Sequence, residues 1–413
     1  MEATMMDQAA EVREYVNTAQ AYLQELCALA PHRRTGSAGN RAATDYFART
    51  AKDWGYEIDV ATFACLDHRS GKVSLTSGKD SFPVEIGPYS PGCDISAQLV
   101  PVSTGEELEK ISCPGKILLL RGEICSEPLM PKNFPFYNPD HHKKIYSLIE
   151  EKRPAAVVTA PPKNPEMVGA IYPFPLIEDG DFDLPSAYCA AATGDEIAAH
   201  SGEAFSLKIE ARRIPSTASN VLLRKNPKAG RKVVVSAHID TREGTVGASD
   251  DGSGTVVLLL LARLFRDYRG PLGIEIVAFN GEDNYSAAGE KDYLRRFGTG
   301  LKTALVAVNI DDVGYREGKT AFSFYECPEA IQKKVKAAFG SYGGLMEGPP
   351  WFQGDHMIFV QGGTPAIAFT AEKMVELMAT VTHTARDTPD LIDPKKLVET
   401  ALALRDLIEK LGE

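Results

Sequence analysis

From Ser216 to the C-terminus, short runs rich in β-branched residues alternate with longer stretches whose apolar positions recur at helical spacing. The run KVVVSA (232–237) leads into SGTVVLLLLARLFRDY (253–268), and GIEIVAFN (273–280) leads into AAGEKDYLRRF (287–297). ALVAVNI (304–310) is followed by AFSFYE (321–326), the helical PEAIQKKVKAAF (328–339), the strand-like PAIAFTA (365–371) and a closing helix over 393–411. Strands alternating with helices predict an α/β fold: a mixed, mostly parallel sheet sandwiched by helices.

The opening residues read differently. Ala9 to Leu29 carries apolar residues at helical spacing and Pro31 is the expected stop; a second helix is expected over about Arg41–Trp54, and YEIDVATFAC (56–65) alternates as a strand does. Between about Ser70 and Arg213 the texture changes to short β-like runs (KVSLTS, FPVEI, AQLVPV, KILLLRG, AAVVTA, FSLKIEAR) separated by Gly, Pro and Asp, with one helix-like stretch at Lys143–Glu151. The expected organisation is a discontinuous catalytic domain, 1–69 with 214–413, and an inserted, mostly β domain at 70–213.

Composition narrows the function. A formal net charge of −11 speaks against a nucleic-acid partner, which needs clustered Lys and Arg. The longest apolar run, Thr255–Phe265, is too short to span a membrane and reads as a buried helix; the acidic N-terminus lacks a signal-peptide core. Seven scattered cysteines without a C-x-x-C pair fit neither a disulfide framework nor a thiolate metal site, and lead to the expectation of a cytoplasmic protein.

The chemistry sits at the ends of the predicted strands: His238 and Asp240 after KVVVSA, Asp250 in GASDDGSG, Glu282 and Asp283 after EIVAFN, Asp311 after ALVAVNI, and His383 in THTARDT. Ligands of open α/β sheets gather at the carboxyl ends of strands. Taken singly, these residues are unremarkable: His-x-Asp is often a hydrogen-bonded turn, Asp250 and Asp251 are placed to cap the apolar helix, and paired acids usually face solvent. Together they form the set a two-metal hydrolase needs, with imidazoles, a bridging carboxylate, terminal carboxylates and a base. His238, Asp250, Asp283, Asp311 and His383 are the expected ligands, with Asp250 as the bridge. Asp240 is expected to fix the tautomer of His238, and Glu282 to act as general base because adjacent residues at a strand end diverge.

These motifs in this order resemble the dizinc aminopeptidase-like metallopeptidases, peptidase family twenty-eight, over about Asn220–Leu411, with GSAGNRAATDYF similar to that family's N-terminal segment. The resemblance implies a zinc-exopeptidase fold and two zinc ions, one held by His238 and Asp311 and the other by Asp283 and His383, with Asp250 bridging and Glu282 as base. It implies an unusual peptide bond before Asp251. Asp355 and His356 look like part of a further family segment, with Gly354 where serine is usual. Asp283 departs from the usual glutamate, which implies a second ion held differently or exchanged for another metal. The inserted region is similar to a protease-associated domain. The implied activity is hydrolysis of N-terminal peptide bonds in small peptides.

Three rivals make different demands. A one-zinc glutaminyl cyclase-like acyltransferase would leave His238 and Asp311 as non-ligands. An N-acyl amino acid amidohydrolase would space His-x-Asp and the bridging Asp further apart than the 12 residues from His238 to Asp250. A non-enzymatic, receptor-like scaffold would have lost ligands. Tyr285, Trp351 and Phe352 flank the catalytic loops as candidates for a hydrophobic pocket. Asp140-His141-His142 is expected at the surface, and His32, His68 and His200 belong to no constellation.

Overall fold

The computed structural model describes residues 2–29, 32–162, 173–180 and 182–413; Pro31, the expected helix stop, lies outside them. The strands Lys232–His238, Gly273–Phe279, Ala304–Ile310 and Ala366–Ala371 pair in parallel in the order 273–279, 232–238, 304–310, 366–371. Thr320–Tyr325 pairs antiparallel with Ala366–Ala371, and Ala204–Lys225 antiparallel with Gly273–Phe279, so the sheet is mixed. Every residue of Gly273–Phe279 is buried, as both faces of such a sheet require. Along Lys232–His238, Val233, Val235 and Ala237 enter one apolar cluster while Val234 enters the other.

Helices cover both faces. Glu2–Cys27, Ala38–Thr50, Gly254–Leu264 and Pro394–Gly412 lie on the first cluster. Gly254–Leu264 is buried from Gly254 through Ala262, which explains why its sequence is apolar all round. Ser37 caps Ala38–Thr50, its hydroxyl accepting from the Asn40 N–H at 3.1 Å, so that helix starts three residues before the expected Arg41.

The stretch 70–213 is joined to the rest through two long strands. Glu57–Ser77 contains all of YEIDVATFAC but its first residue and all of KVSLTS, and FSLKIEAR lies within Ala204–Lys225. The two pair antiparallel from Glu57↔Arg224 to Thr76↔Ser206, with a register shift between Ser70 and Val73. Beyond them Cys93–Val102, Ile117–Arg121 and Ala156–Ala160 pair in parallel. Apolar clusters flank these strands on both sides, Ile117 and Leu119 entering one and Leu118 and Leu120 the other. Among the described residues three helices cover them: Gly105–Lys110, Asp140–Lys152 and Ala191–Ala199. The first and third were missed in the sequence because the first is only six residues long and the third, AATGDEIAA, carries little apolar periodicity. No helix among the described residues is long and apolar enough to cross a membrane.

Candidate metal centre

Parallel strands deliver the candidate residues to one edge. His238 is the last residue of its strand, Asp311 directly follows Ala304–Ile310, and Glu282 and Asp283 follow Gly273–Phe279 by a short turn. Asp250 lies in the loop between Lys232–His238 and the helix Gly254–Leu264, and His383 follows the helix Met374–Thr380. His383 and its neighbour across the site, Asp312, hold left-handed φ values of 61° and 55°, backbone strain of the kind concentrated at functional sites.

The side chains converge. Asp250 Oδ1 lies 3.0 Å from His238 Nε2, and its Oδ2 lies 2.9 Å from His383 Nε2. His238 Nε2 is 3.8 Å from Asp311 Oδ1, and His383 Nε2 is 2.8 Å from Asp283 Oδ1. Ligand-type atoms of His238, Asp250 and Asp283 lie within 4.8 Å of one another, as do those of His238, Asp251 and Asp311. The Asp250–Asp251 peptide is cis, in line with the unusual bond implied for this position. The Asp251 carboxylate accepts from the Gly254 N–H at 2.8 Å and from the His238 backbone N–H at 3.3 Å, so the capping role falls to Asp251 while the Asp250 carboxylate meets both imidazoles.

Surrounding groups hold this geometry. Asp240 is fully buried; it accepts from the Gly281 N–H at 2.8 Å, the Asn284 amide at 2.6 Å and the Thr35 hydroxyl at 3.1 Å. His238 Nδ1 is 3.7 Å from Asp240 Oδ1, beyond hydrogen-bonding distance, so that contact is electrostatic. Asp387 accepts from the backbone N–H groups of Ser249 and Asp250 at 2.7 and 3.1 Å, and burial pushes its carboxyl up to about 7. Buried Arg33 donates to the carbonyls of Ile239, Val246 and Gly247, fixing the loop that carries Asp250.

Electrostatics show what the site attracts. Burial opposes ionisation of Asp250, yet hydrogen bonds from His238 and His383 outweigh it and hold the carboxyl far below its usual range. Burial also disfavours a proton on either imidazole, but the surrounding carboxylates push both histidines well above their ordinary value. Burial, reinforced by neighbouring acids, raises Glu282, Asp312 and Asp355 well above the carboxylate range. Asp283 Oδ2 and both oxygens of Asp355 are buried without a hydrogen-bond partner among the described residues. A cluster with this excess of carboxylate oxygens and two facing imidazoles fits divalent cations of the zinc type.

The centre opens into a cavity of about 170 Å³. Glu282 lines it beside Asp250, Asp283, Asp311 and His383, while Met130, Phe134, Trp351, Phe352, Met374 and Met378 form an apolar wall. Trp351 and Phe352 therefore occupy the place expected for them. Tyr285 does not line this cavity; it donates to Asp183 at 2.8 Å and packs on Tyr89. Asp140-His141-His142 also departs from a simple surface reading. His142 is 2% exposed and its Nδ1 accepts from the Met130 N–H at 3.0 Å, whereas His141 is exposed and sits 2.8 Å from Glu127. Ligand-type atoms of Glu127, His141 and His142 lie within 4.8 Å of one another; because His142 Nδ1 accepts from Met130, its Nε2 carries the proton of the neutral ring and faces Glu127 at 3.3 Å.

Residues 220–408 match the profile described as Peptidase family M28. The match spans a little under half of the chain. The M28 segment contains all seven residues singled out above, His238, Asp240, Asp250, Glu282, Asp283, Asp311 and His383. Aminopeptidase YwaD of Bacillus subtilis (strain 168) is 33% identical over 102 residues, 24% of this chain; the aligned stretch spans 22% of that protein's length. The fold matches an aminopeptidase from Aneurinibacillus sp. strain AM-1 with a TM-score of 0.74 at 22% identity, covering 96% of this chain and 92% of that one. It also matches BSAP, a zinc aminopeptidase from Bacillus subtilis, with a TM-score of 0.72 at 19% identity, covering 96% and 94%.

Three residues at the centre went unread in the sequence. Glu178, Asp179 and Arg242 meet there: Glu178 Oε1 is 2.8 Å from His383 Nδ1, Arg242 pairs with Asp179, and Arg242 Nε is 3.5 Å from Asp283 Oδ1. Arg242 follows His-x-Asp by two residues, and that closeness was the one available signal. Glu178 and Asp179 lie in PLIEDGDFD, which reads as an ordinary polar turn.

Proposed function

We propose that this protein is a metal-dependent aminopeptidase that removes N-terminal residues from small peptides using two zinc ions. The observation that carries the reading is the placement of Asp250 between two imidazoles, one carboxylate oxygen facing each Nε2. His238 and Asp311 would hold one ion, His383 and Asp283 the other, and Asp250 both. When bound, the ions would supply Lewis acidity and lower the proton affinity of the attacking water. Glu282 lines the cavity beside these ligands and is the group placed to take the water's proton and pass it to the departing amine. Asp240, locked by four donors, steadies His238.

The apolar wall of Met130, Phe134, Trp351, Phe352, Met374 and Met378 favours substrates whose N-terminal side chain is itself apolar. The proposal includes the two-part organisation, with 70–213 inserted into a catalytic domain formed by 1–69 and 214–413. Separate apolar clusters on either side of the two long strands support it. A cytoplasmic location is part of the same reading, supported by seven cysteines that are all free. The net charge of −11 supports a protein that does not bind nucleic acid.

A direct test strips the protein with a chelator, restores zinc, cobalt or manganese, and assays a panel of aminoacyl chromogenic substrates. Activity should vanish on stripping and return as two ions bind per chain. Leucyl, methionyl or phenylalanyl substrates should exceed aspartyl or lysyl ones by at least about 10-fold in kcat/KM. Saturation at one ion per chain, with cyclisation of N-terminal glutamine, would favour the acyltransferase reading instead.

A further inference from the structure

The two imidazoles of the centre are oriented in different ways. His238 faces Asp240, two residues further along its own loop. His383 has no such neighbour; its Nδ1 meets the carboxylate of Glu178, 205 residues away in sequence and within the stretch 70–213. Glu178 Oε1 and His383 Nδ1 are 2.8 Å apart, so Nδ1 donates to Glu178 and Nε2 is the ring atom turned to Asp250 and Asp283, the one that would ligate once an ion displaces its proton.

The next residue acts on the other ligand of the same pair. Asp179 binds the guanidinium of Arg242, which also donates to the Glu178 carbonyl and lies 3.5 Å from Asp283 Oδ1. Asp179 thereby shares a cation that would otherwise neutralise Asp283. Both residues are set in place by the apolar core of the 70–213 stretch. Leu176 and Ile177 are buried in one of its clusters, and the Leu176 carbonyl accepts from the Leu129 N–H at 2.8 Å. His238 and Asp311 receive no contact of this kind from Glu178 or Asp179.

We propose that Glu178 and Asp179 are positioning residues supplied by the inserted stretch, and that they complete the His383–Asp283 half of the metal centre, selectively setting its affinity. This rests on the two-ion reading above. Glu178 keeps His383 in the ligating tautomer and increases its basicity; Asp179 shares Arg242 with Asp283 and limits how far that cation neutralises it. The inserted stretch is thus a structural part of the centre as well as a wall of its cavity.

The experiment is competitive zinc titration of metal-free full-length protein against a chromophoric chelator, with melting temperatures of the metal-free proteins measured alongside. The wild-type chain should bind two ions. Glu178→Ala should weaken one of them by about 10–100-fold and leave the other within about twofold, Glu178→Gln should weaken the same ion less, and Asp179→Asn should weaken it by about 10-fold. Metal-free Glu178→Gln should melt with the wild-type protein, and Asp283→Ala should weaken the same ion that Glu178→Ala does. Unchanged affinity for both ions in Glu178→Ala and Glu178→Gln overturns the inference while leaving the two-ion reading intact. Equal weakening of both ions, with a lowered melting temperature, also overturns it, since that marks a general structural role. Fewer than two ions on the wild-type chain overturns the two-ion reading itself, and the inference falls with it.

Discussion

Asp250→Ala should abolish uptake of both proposed zinc ions and reduce the proposed aminopeptidase turnover by on the order of 10³-fold or more. The size follows from losing the several kcal/mol of transition-state charge stabilisation that metal ions provide, at about 1.4 kcal/mol per factor of ten. Asp250 is the only one of the proposed ligands whose two oxygens face both histidines, at 3.0 and 2.9 Å. Removing any other proposed ligand touches one half of the centre; removing this one touches both. The fold should survive, because Asp387 holds the loop through the backbone N–H groups of Ser249 and Asp250, which the substitution leaves in place. Zinc titration and circular dichroism on the same preparation check this. A folded variant that still binds two ions at wild-type affinity would remove Asp250 from its bridging role.

Glu282→Gln should separate binding from chemistry. The variant keeps the shape of the side chain and should bind both ions normally, yet kcat should fall by ~10²-fold or more, the usual scale of general-base catalysis. Glu282 lines the cavity while its neighbour Asp283 points to His383, so adjacent acids at one strand end serve different partners. Burial among acids raises the proton affinity of Glu282, a property suited to accepting a proton during turnover. Steady-state kinetics with a leucyl substrate, at matched zinc occupancy, provide the measurement. Wild-type kcat in this variant would sink the assignment, and loss of an ion would recast Glu282 as a ligand.

The parallel sheet was legible because both of its faces are buried. That constraint forces near-continuous apolar runs such as KVVVSA and GIEIVAF, bounded by polar strand ends, and a helix as apolar as Gly254–Leu264 can only be internal. The residues from His238 to Asp311 were legible for a related reason: each lies at or just beyond a strand end, or in the loop that follows, where strand direction brings them to one edge, while His383 comes after the further helix Met374–Thr380. The stretch 70–213 was read less fully. Its strands were recognised as separate runs, but a single strand from Glu57 to Ser77 and another from Ala204 to Lys225 become continuous only through pairing with each other. Two short helices there carried too little apolar periodicity to be seen.

The order of motifs along the chain, the parallel α/β core and the ligand-type residues of the centre were determined by sequence alone, because local patterning and strand direction suffice to place them. Tertiary structure decided what surrounds them. It assigned Asp251 to the helix cap and Asp250 to the histidines, turned Tyr285 away from the cavity, and brought Glu178 to His383 across 205 residues. Contacts of that span have no local signature. They depend on how two separately packed cores meet, and an acidic turn such as Glu178-Asp179 reads the same whether it faces solvent or a histidine of the centre.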